Sequence, residues 1–356
     1  MSRVKPVLFV TGHAPAYRVG AFARLHELEQ IELALFGGRY THGGAGASGE
    51  LALPHKYVRP HELHALAASG RYRAVVCPTG GRLAPLATWS GARRGRMPLL
   101  LWASLWAHPR SVAHALTYPP LRRLYRSADA VVTYGPHVSA YVRARGACNV
   151  YVAPQAVDND FWRAPASAAP SDPRATTRFL FVGRPVAEKG LNVLLQAWRA
   201  AKLPAPDAEL MLAGTENIYM EGLSVLALGQ LNAEELRRVY AACDVLVVPS
   251  LRTRTFREPW GLVVNEAMNQ GLAVIASDAV GAAAGGLVRD GENGLVLRAG
   301  AVHELARAIA RLAGDGQLRE RLGAAGARDV LAFSYDAWAE GFSRALSSLG
   351  VSRIRW

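Results

Sequence analysis

The chain has 356 residues, 51% of them apolar and 19% charged, which excludes a disordered polypeptide and leaves material for two cores. Three cysteines, Cys77, Cys148 and Cys243, are odd in number and far apart; they read as buried free thiols in a reducing compartment and give a disulfide framework or zinc site no support. The net charge is +13, but residues 1–170 hold 20 Lys and Arg against 8 Asp and Glu while residues 171–356 hold 21 against 20, so the first half is the one suited to an acidic partner, whether nucleic acid, an anionic membrane surface, a lipid phosphate or an acidic glycan.

The opening segment, "MSRVKPVLFVTGHAPAY", has an apolar run of only Val7 to Val10, too short for a signal-peptide core, and reads as a first strand. Further apolar runs follow at 31–36, 74–78, 99–103, 130–134 and 150–154, with helical-period stretches such as 19–30 and 119–129 between them. The longest apolar run, Met97 to Ala107, falls short of the roughly 20 residues a bilayer-spanning helix needs, so the expected location is cytoplasmic. "WRAPASAAPSDPRATTR", from Trp162 to Arg178, is rich in proline and small residues and predicts a linker. Alternation then resumes: strands at 178–183, 208–214, 224–229, 244–250, 272–278 and 294–297, with helices among them. Asn232 with Glu235 three residues on predicts a capping box. Continuous apolar strands alternating with helices point to parallel sheets covered on both faces. The expected architecture is α/β, two doubly wound Rossmann-like domains facing across a cleft: 1–165, a linker at 166–177, 178–335, and a C-terminal helix at 336–356 packing back towards the first domain.

Chemistry is expected at the carboxyl ends of the strands. After the strand ending at Gly183, Arg184 and Lys189 stand five apart beside a helix start, where two cations and free N–H groups suit a diphosphate. After "VLVVPS", a loop leads to Glu258, then Pro259, Trp260, Gly261 and a helix carrying Leu262, Val263 and Glu266. Two acids eight apart recur by chance; their setting is what makes them informative. An ionised carboxylate is acceptor-only, so the pair suits vicinal hydroxyls of a hexose and a ribose, with the helix start between them for phosphate.

The ordered set "VGRPVAEKG", "VLVVPS", "EPWGLVVNEAMNQGLAVIASD" and "VRDGENGLVL" resembles the second domain of retaining glycosyltransferases of family 4, the glycosyl transferases group 1 enzymes with the GT-B fold and an E-x7-E motif. The resemblance covers about residues 178–350 strongly. It reaches the first domain through architecture, "TGHAPAYRVGAF" and "SADAVVTYG". It implies a nucleotide-sugar donor on the second domain and an acceptor on the first. It further implies Arg184 and Lys189 on the diphosphate, Glu258 on the donor sugar and Glu266 on the ribose, with backbone N–H groups of Gly261, Leu262 and Val263 on sugar and phosphate. Gly12 stands where the family has a glycine-rich loop under the donor diphosphate, without the paired glycine. His108 is the candidate for the family's first-domain histidine near the reacting centre, although the register falls nearer Trp106. Base choice would rest on loops at 214–217 and 229–232.

The implied reaction is retaining hexosyl transfer to a glycan or lipid-linked acceptor, in cell-envelope or exopolysaccharide biosynthesis. No metal and no other cofactor is expected, since Arg184, Lys189 and the helix start can meet the leaving-group charge; "DND" at 158–160 lies on the approach to the linker rather than in a metal-binding pattern. Glu258 is expected to bind sugar rather than to act as a double-displacement nucleophile. Arg93, Arg94, Arg96, Arg122, Arg123 and Arg126 could rest on an anionic bilayer, making the protein peripheral on the inner face of the membrane; no nucleic acid is expected. The rivals are a nucleotide-sugar epimerase of the same fold and a basic nucleic-acid-binding or scaffold protein.

Overall fold

The computed structural model describes residues 4–37, 51–81, 83–167, 177–204, 207–216, 218 and 220–354; most of the expected linker, and Asn217 of the expected base-binding loops, lie outside them. The chain divides into two compact units, 1–156 with 334–356, and 157–333.

In the first unit the elements run β1 (Val7–Thr11), α1 (Ala16–Glu29), β2 (Ile31–Leu35), β3 (His55–Tyr57), α2 (Glu62–Ala68), β4 (Ala74–Pro78), α3 (Ala84–Arg94), β5 (Leu99–Ala103), α4 (Val112–Ser127), β6 (Ala130–Thr133), α5 (Pro136–Arg143) and β7 (Val150–Val152). All pairings are parallel, in the order β3-β2-β1-β4-β5-β6-β7. Every residue of β1 is buried, and alternate side chains enter different cores: Val7 and Phe9 one, Leu8 and Val10 the other. That is why these strands are apolar throughout rather than alternating. Helix α4 begins at Val112, earlier than the expected 119, because Ser111 caps it by accepting from the His114 N–H; Pro119 and Pro120 therefore fall inside the helix.

The second unit runs α6 (Asn159–Arg163), β8 (Thr177–Val182), a 3₁₀ turn at Ala187–Lys189, α7 (Leu191–Ala201), β9 (Ala208–Ala213), β10 (Val225–Gly229), α8 (Ala233–Ala242), β11 (Val245–Val248), α9 (Val263–Asn269), β12 (Ala273–Ser277), α10 (Gly281–Ala284), β13 (Leu295–Leu297), α11 (Val302–Gly314) and α12 (Gly316–Asp329). Its sheet is also parallel, ordered β10-β9-β8-β11-β12-β13. The chain then returns to the first unit as α13 (Tyr335–Ser347).

The limit between the two units lies earlier than the one read in the sequence. Residues 157–165 belong to the second unit, not the first, because α6 is tied down there. Arg237 Nη1 donates to Phe161 O at 3.1 Å, Arg163 Nη2 to Ala327 O at 2.6 Å, and Gln270 Nε2 to Ala164 O at 3.1 Å. Carbonyls at the end of so short a helix have no intrahelical donor; Arg237 and Gln270 supply one, while Arg163 ties α6 to a carbonyl of α12. Asp158, in the "DND" stretch, caps α6 by accepting from the Phe161 N–H at 2.9 Å. Helix α13 packs into the first unit, the side to which the sequence reading assigned the C-terminal helix. Trp338 and Phe342 are fully buried and meet Phe9, Phe22 and Trp102 in one aromatic core. Buried Glu29, at the end of α1, accepts from Arg73 Nη2 (2.6 Å), Ser343 Oγ, Ser352 Oγ (2.6 Å) and the Arg353 N–H (2.9 Å), which fastens the segment after α13. Cys77 and Cys243 are buried, but Cys148 is exposed, in the turn after α5.

Candidate functional site

The site-bearing loops of the second unit leave the carboxyl ends of β8 and β11, which are neighbours in the sheet. Beyond β8, Arg184 is exposed, and the chain tightens into the 3₁₀ turn that ends at Lys189. Gly190 follows at φ +72°, and a Cβ there would lie 2.0 Å from Pro249 O. Only glycine permits both that backbone conformation and that approach. The Leu251 N–H donates to Glu188 O at 2.8 Å, so the two strand exits are clamped together.

Glu258 is 7% exposed. Its backbone bridges to Val280, and its carbonyl accepts from the Gly281 N–H at 3.1 Å, so the loop is fixed on the end of the β12–α10 connection. Lys189 Nζ donates to Glu258 Oε2 at 2.5 Å, and Ser250 Oγ lies 3.4 Å from the same oxygen. Two residues expected to serve different parts of a ligand are thus an ion pair here. Lysine has three N–H donors, and this contact uses one.

After Glu258 the chain buries Trp260, whose Nε1 donates to Asn265 Oδ1 at 2.7 Å, and turns at Gly261 with φ +91°. Helix α9 starts at Val263, one residue later than the expected Leu262, and Leu262 as N-cap makes no side-chain hydrogen bond. In its first turn the Val264 N–H donates to Gly261 O at 3.0 Å. The helix closes by a Schellman motif: the Gly271 N–H donates to Met268 O and the Leu272 N–H to Ala267 O, both at 3.1 Å, with Gly271 at φ +78°.

Glu266, on α9, has a partner that the sequence reading missed. Buried Tyr240 of α8 donates its hydroxyl to Glu266 Oε2 at 2.9 Å. Burial pushes the Glu266 carboxyl up from 4.5 to about 7, with the tyrosine hydrogen bond pulling the other way. In sequence, Tyr240 is one more apolar-face residue of "NAEELRRVYAAC", so nothing there marks it. The loops beyond β9 and β10 are joined to each other and to the β8 exit. The Gly214 N–H donates to Gly229 O at 2.7 Å, and a Cβ on Gly214, at φ +85°, would lie 2.7 Å from Gly183 O.

The remaining expected residues lie in the first unit. Gly12 follows β1 and its carbonyl accepts from the Gly37 N–H at 2.8 Å; a Cβ there would meet only Phe36, at 3.8 Å, so neither sterics nor backbone conformation demands glycine. His108 is partly buried: Nε2 is 3.1 Å from His114 O, Nδ1 is 3.4 Å from the Tyr141 hydroxyl, and the ring packs edge-on against Tyr118. All six arginines proposed for a basic face are exposed. Arg93 donates to Ser127 O, and the Arg123 guanidinium lies over the Trp89 ring.

Residues 167–329, which span nearly all of the second unit, match the family glycosyl transferases group 1. That segment is a glycosyl transferases group 1 domain. It contains Arg184, Lys189, Glu258, Gly261, Leu262, Val263 and Glu266. Among curated relatives, the chain is 32% identical over 186 residues to the D-inositol 3-phosphate glycosyltransferase of Nocardia farcinica, covering 52% of this chain and 36% of that protein. It is 31% identical over 174 residues to the lipopolysaccharide core biosynthesis glycosyltransferase LpsE of Rhizobium meliloti, covering 47% and 48%. The chain thus spans a third to a half of the length of these relatives. The whole fold, group 1 domain and first unit together, is GT-B. It resembles Anabaena HepE in complex with UDP, with a TM-score of 0.74 and 20% identity, covering 96% of this chain and 100% of that one. It also resembles sucrose-phosphate synthase from Thermosynechococcus elongatus, with a TM-score of 0.72 and 20% identity, covering 97% and 99%.

Proposed function

We propose that the protein is a retaining, metal-independent glycosyltransferase of family 4, moving a hexose from a nucleotide-sugar donor to a glycan or lipid-linked acceptor. The observation that carries the reading is the Lys189–Glu258 pair at the joined exits of β8 and β11, inside a group 1 domain. Relatives named as glycosyltransferases support the activity, and the likeness to HepE structures in complex with UDP and with UDP-glucose supports the donor class. The name of LpsE supports a place in cell-envelope polysaccharide synthesis.

On this reading, breaking the anomeric carbon–oxygen bond puts negative charge on a departing diphosphate. Arg184 and the two remaining Lys189 donors meet it, beside the start of α9, so the charge is stabilised by groups already in place. Glu258 holds sugar hydroxyls and Glu266 ribose hydroxyls, each as an acceptor. In the same reading Gly12 lies under the donor diphosphate and His108 near the reacting centre. Part of it, too, is a peripheral position on the cytoplasmic face of a membrane. The support is α4, where exposed Arg122, Arg123 and Arg126 share a helix with Val112 and Leu116, 81% and 74% exposed. Among the described residues no helix is long and apolar enough to cross a membrane.

Calorimetric titration of UDP, GDP and ADP, followed by a nucleotide-sugar turnover screen, tests the reading. One of the three should bind saturably, and its sugar conjugates should turn over. A Glu258→Ala variant that transferred sugar at the wild-type rate would overturn the site.

A further inference from the structure

Arg18, the third residue of α1, is 4% exposed. Its Nη2 donates to Gln155 Oε1, just beyond β7. No carboxylate among the described residues pairs with it, and its Nη1 is buried without an acceptor. Desolvating a charge is costly, and buried cations are ordinarily paired.

The surroundings repeat the imbalance. The guanidinium carbon lies 5.6 Å from the ring centres of both Trp102 and Trp338 and 5.4 Å from that of Tyr17. Nε1 of Trp102 and Nε1 of Trp338 are also buried without acceptors. Helix α1 begins behind Pro15 with no side-chain cap and no acid in its first turn. Thus a guanidinium with one nitrogen lacking an acceptor and two indole donors lacking acceptors gather beside a helix start. Trp102 lies near the end of β5 and Gln155 follows β7, so the cluster sits at the carboxyl edge of the first sheet, where doubly wound sheets bind ligands.

We propose that this cluster is a binding site for an oxyanion, a carboxylate or a phosphate, and, resting on the glycosyltransferase reading, that the oxyanion belongs to the acceptor. A guanidinium fork matches either group in two parallel hydrogen bonds. Tyr17, 48% exposed, and the partly exposed Trp102 are the members that reach solvent, so the anion enters between them and displaces Tyr17 from the guanidinium. Were Arg18 only a pin for Gln155, its removal would lower stability without touching any anion equilibrium.

The test uses the whole chain. Tryptophan fluorescence is titrated with sodium phosphate, sodium glucuronate and sodium chloride at matched ionic strength, in the wild type and in Arg18→Gln, with UDP titrated in parallel. A saturable response to phosphate alone assigns a phosphorylated acceptor, and one to glucuronate alone a uronic-acid acceptor. Arg18→Gln should weaken either by roughly ten- to a hundredfold while UDP binds as in the wild type. If Arg18→Gln does not fold, Trp102→Phe replaces it, removing one donor and keeping an aromatic ring; it should weaken the same titration several-fold. No saturable response to either anion in protein that binds UDP overturns the proposal. So does a response that survives Arg18→Gln or, in its place, Trp102→Phe. Anion binding without any nucleotide binding would instead count against the glycosyltransferase reading and leave the anion site standing.

Discussion

Lys189 Nζ and Glu258 Oε2 lie 2.5 Å apart although 69 residues separate them in the chain. The contact exists because Gly190 lets the β8 exit press on Pro249, and because Glu258 is fastened at Val280. The pair is mostly enclosed, with side chains 25% and 10% exposed, so its two charges depend on each other. On the proposed function, a diphosphate and a sugar would enter a site where these two charges already neutralise one another and Arg184 adds a further cation.

Removing one partner should therefore hurt more than removing both. Lys189→Met is expected to cost about 1–3 kcal/mol of stability, because it strands a carboxylate that is 7% exposed. Lys189→Met with Glu258→Gln should recover much of that in urea melts. Sugar transfer should fall by roughly 10²–10³ in either single variant and should not return in the double.

Gly190→Ala tests the clamp. Its Cβ would sit 2.0 Å from Pro249 O at a backbone φ of +72°. The left-handed conformation alone costs alanine about 1 kcal/mol, and the clash with backbone adds to it. A loss of about 3 kcal/mol or more in chemical denaturation is expected. Wild-type stability would mean that the loop does not approach so closely.

If Glu266 holds the ribose as proposed, donor affinity should depend on pH. Its carboxyl is raised to about 7 from 4.5, so the native state holds a proton through that window that the unfolded chain has released. Its contribution to stability is therefore full below about 4.5 and is lost as pH rises to about 7. The ionised carboxylate is the stronger acceptor for ribose hydroxyls, so nucleotide affinity should strengthen as pH rises through about 7. Tyr240→Phe removes a hydrogen bond to the carboxylate and should move the midpoint upward. Calorimetry between pH 5.5 and 8.5, a range chosen to bracket roughly the shifted value, reads both effects.

Glu29 carries a buried charge with four hydrogen-bond donors around it. Glu29→Ala should cost roughly 3–5 kcal/mol, since Arg73 loses its carboxylate and Ser343, Ser352 and the Arg353 N–H lose an acceptor. Protease nicking after α13, followed by mass spectrometry, should rise in parallel.

Replacing Arg122, Arg123 and Arg126 with glutamine should weaken sedimentation with anionic vesicles and leave neutral vesicles unaffected. At roughly 1 kcal/mol per basic residue near such a surface, three substitutions predict a loss of about a hundredfold. Unchanged sedimentation would remove the membrane from the proposed function.

The apolar strands were legible because both faces of each sheet are covered, so β1, β9 and β12 are buried at every residue. Strand β3, "HKY", escaped because it is a three-residue edge strand whose side chains stay largely in solvent. Helix α6 was assigned to the wrong unit because the carbonyl-capping donors from Arg237 and Gln270 lie far along the chain. At the site, Arg184, Lys189, Glu258 and Glu266 stood out by position relative to strand ends. Tyr240 and Arg18 did not, since each is defined by what surrounds it in space rather than by its neighbours in sequence.

The return of α13 to the first unit sets an order of assembly during synthesis. Residues 157–333 are contiguous, so the group 1 domain can close as soon as it leaves the ribosome. The first sheet emerges earlier but waits: Phe9 and Phe22 face an unfilled space until Trp338 and Phe342 arrive. The half made first is thus completed last, and ribosome-bound chains halted near residue 330 should present an exposed apolar face to chaperones.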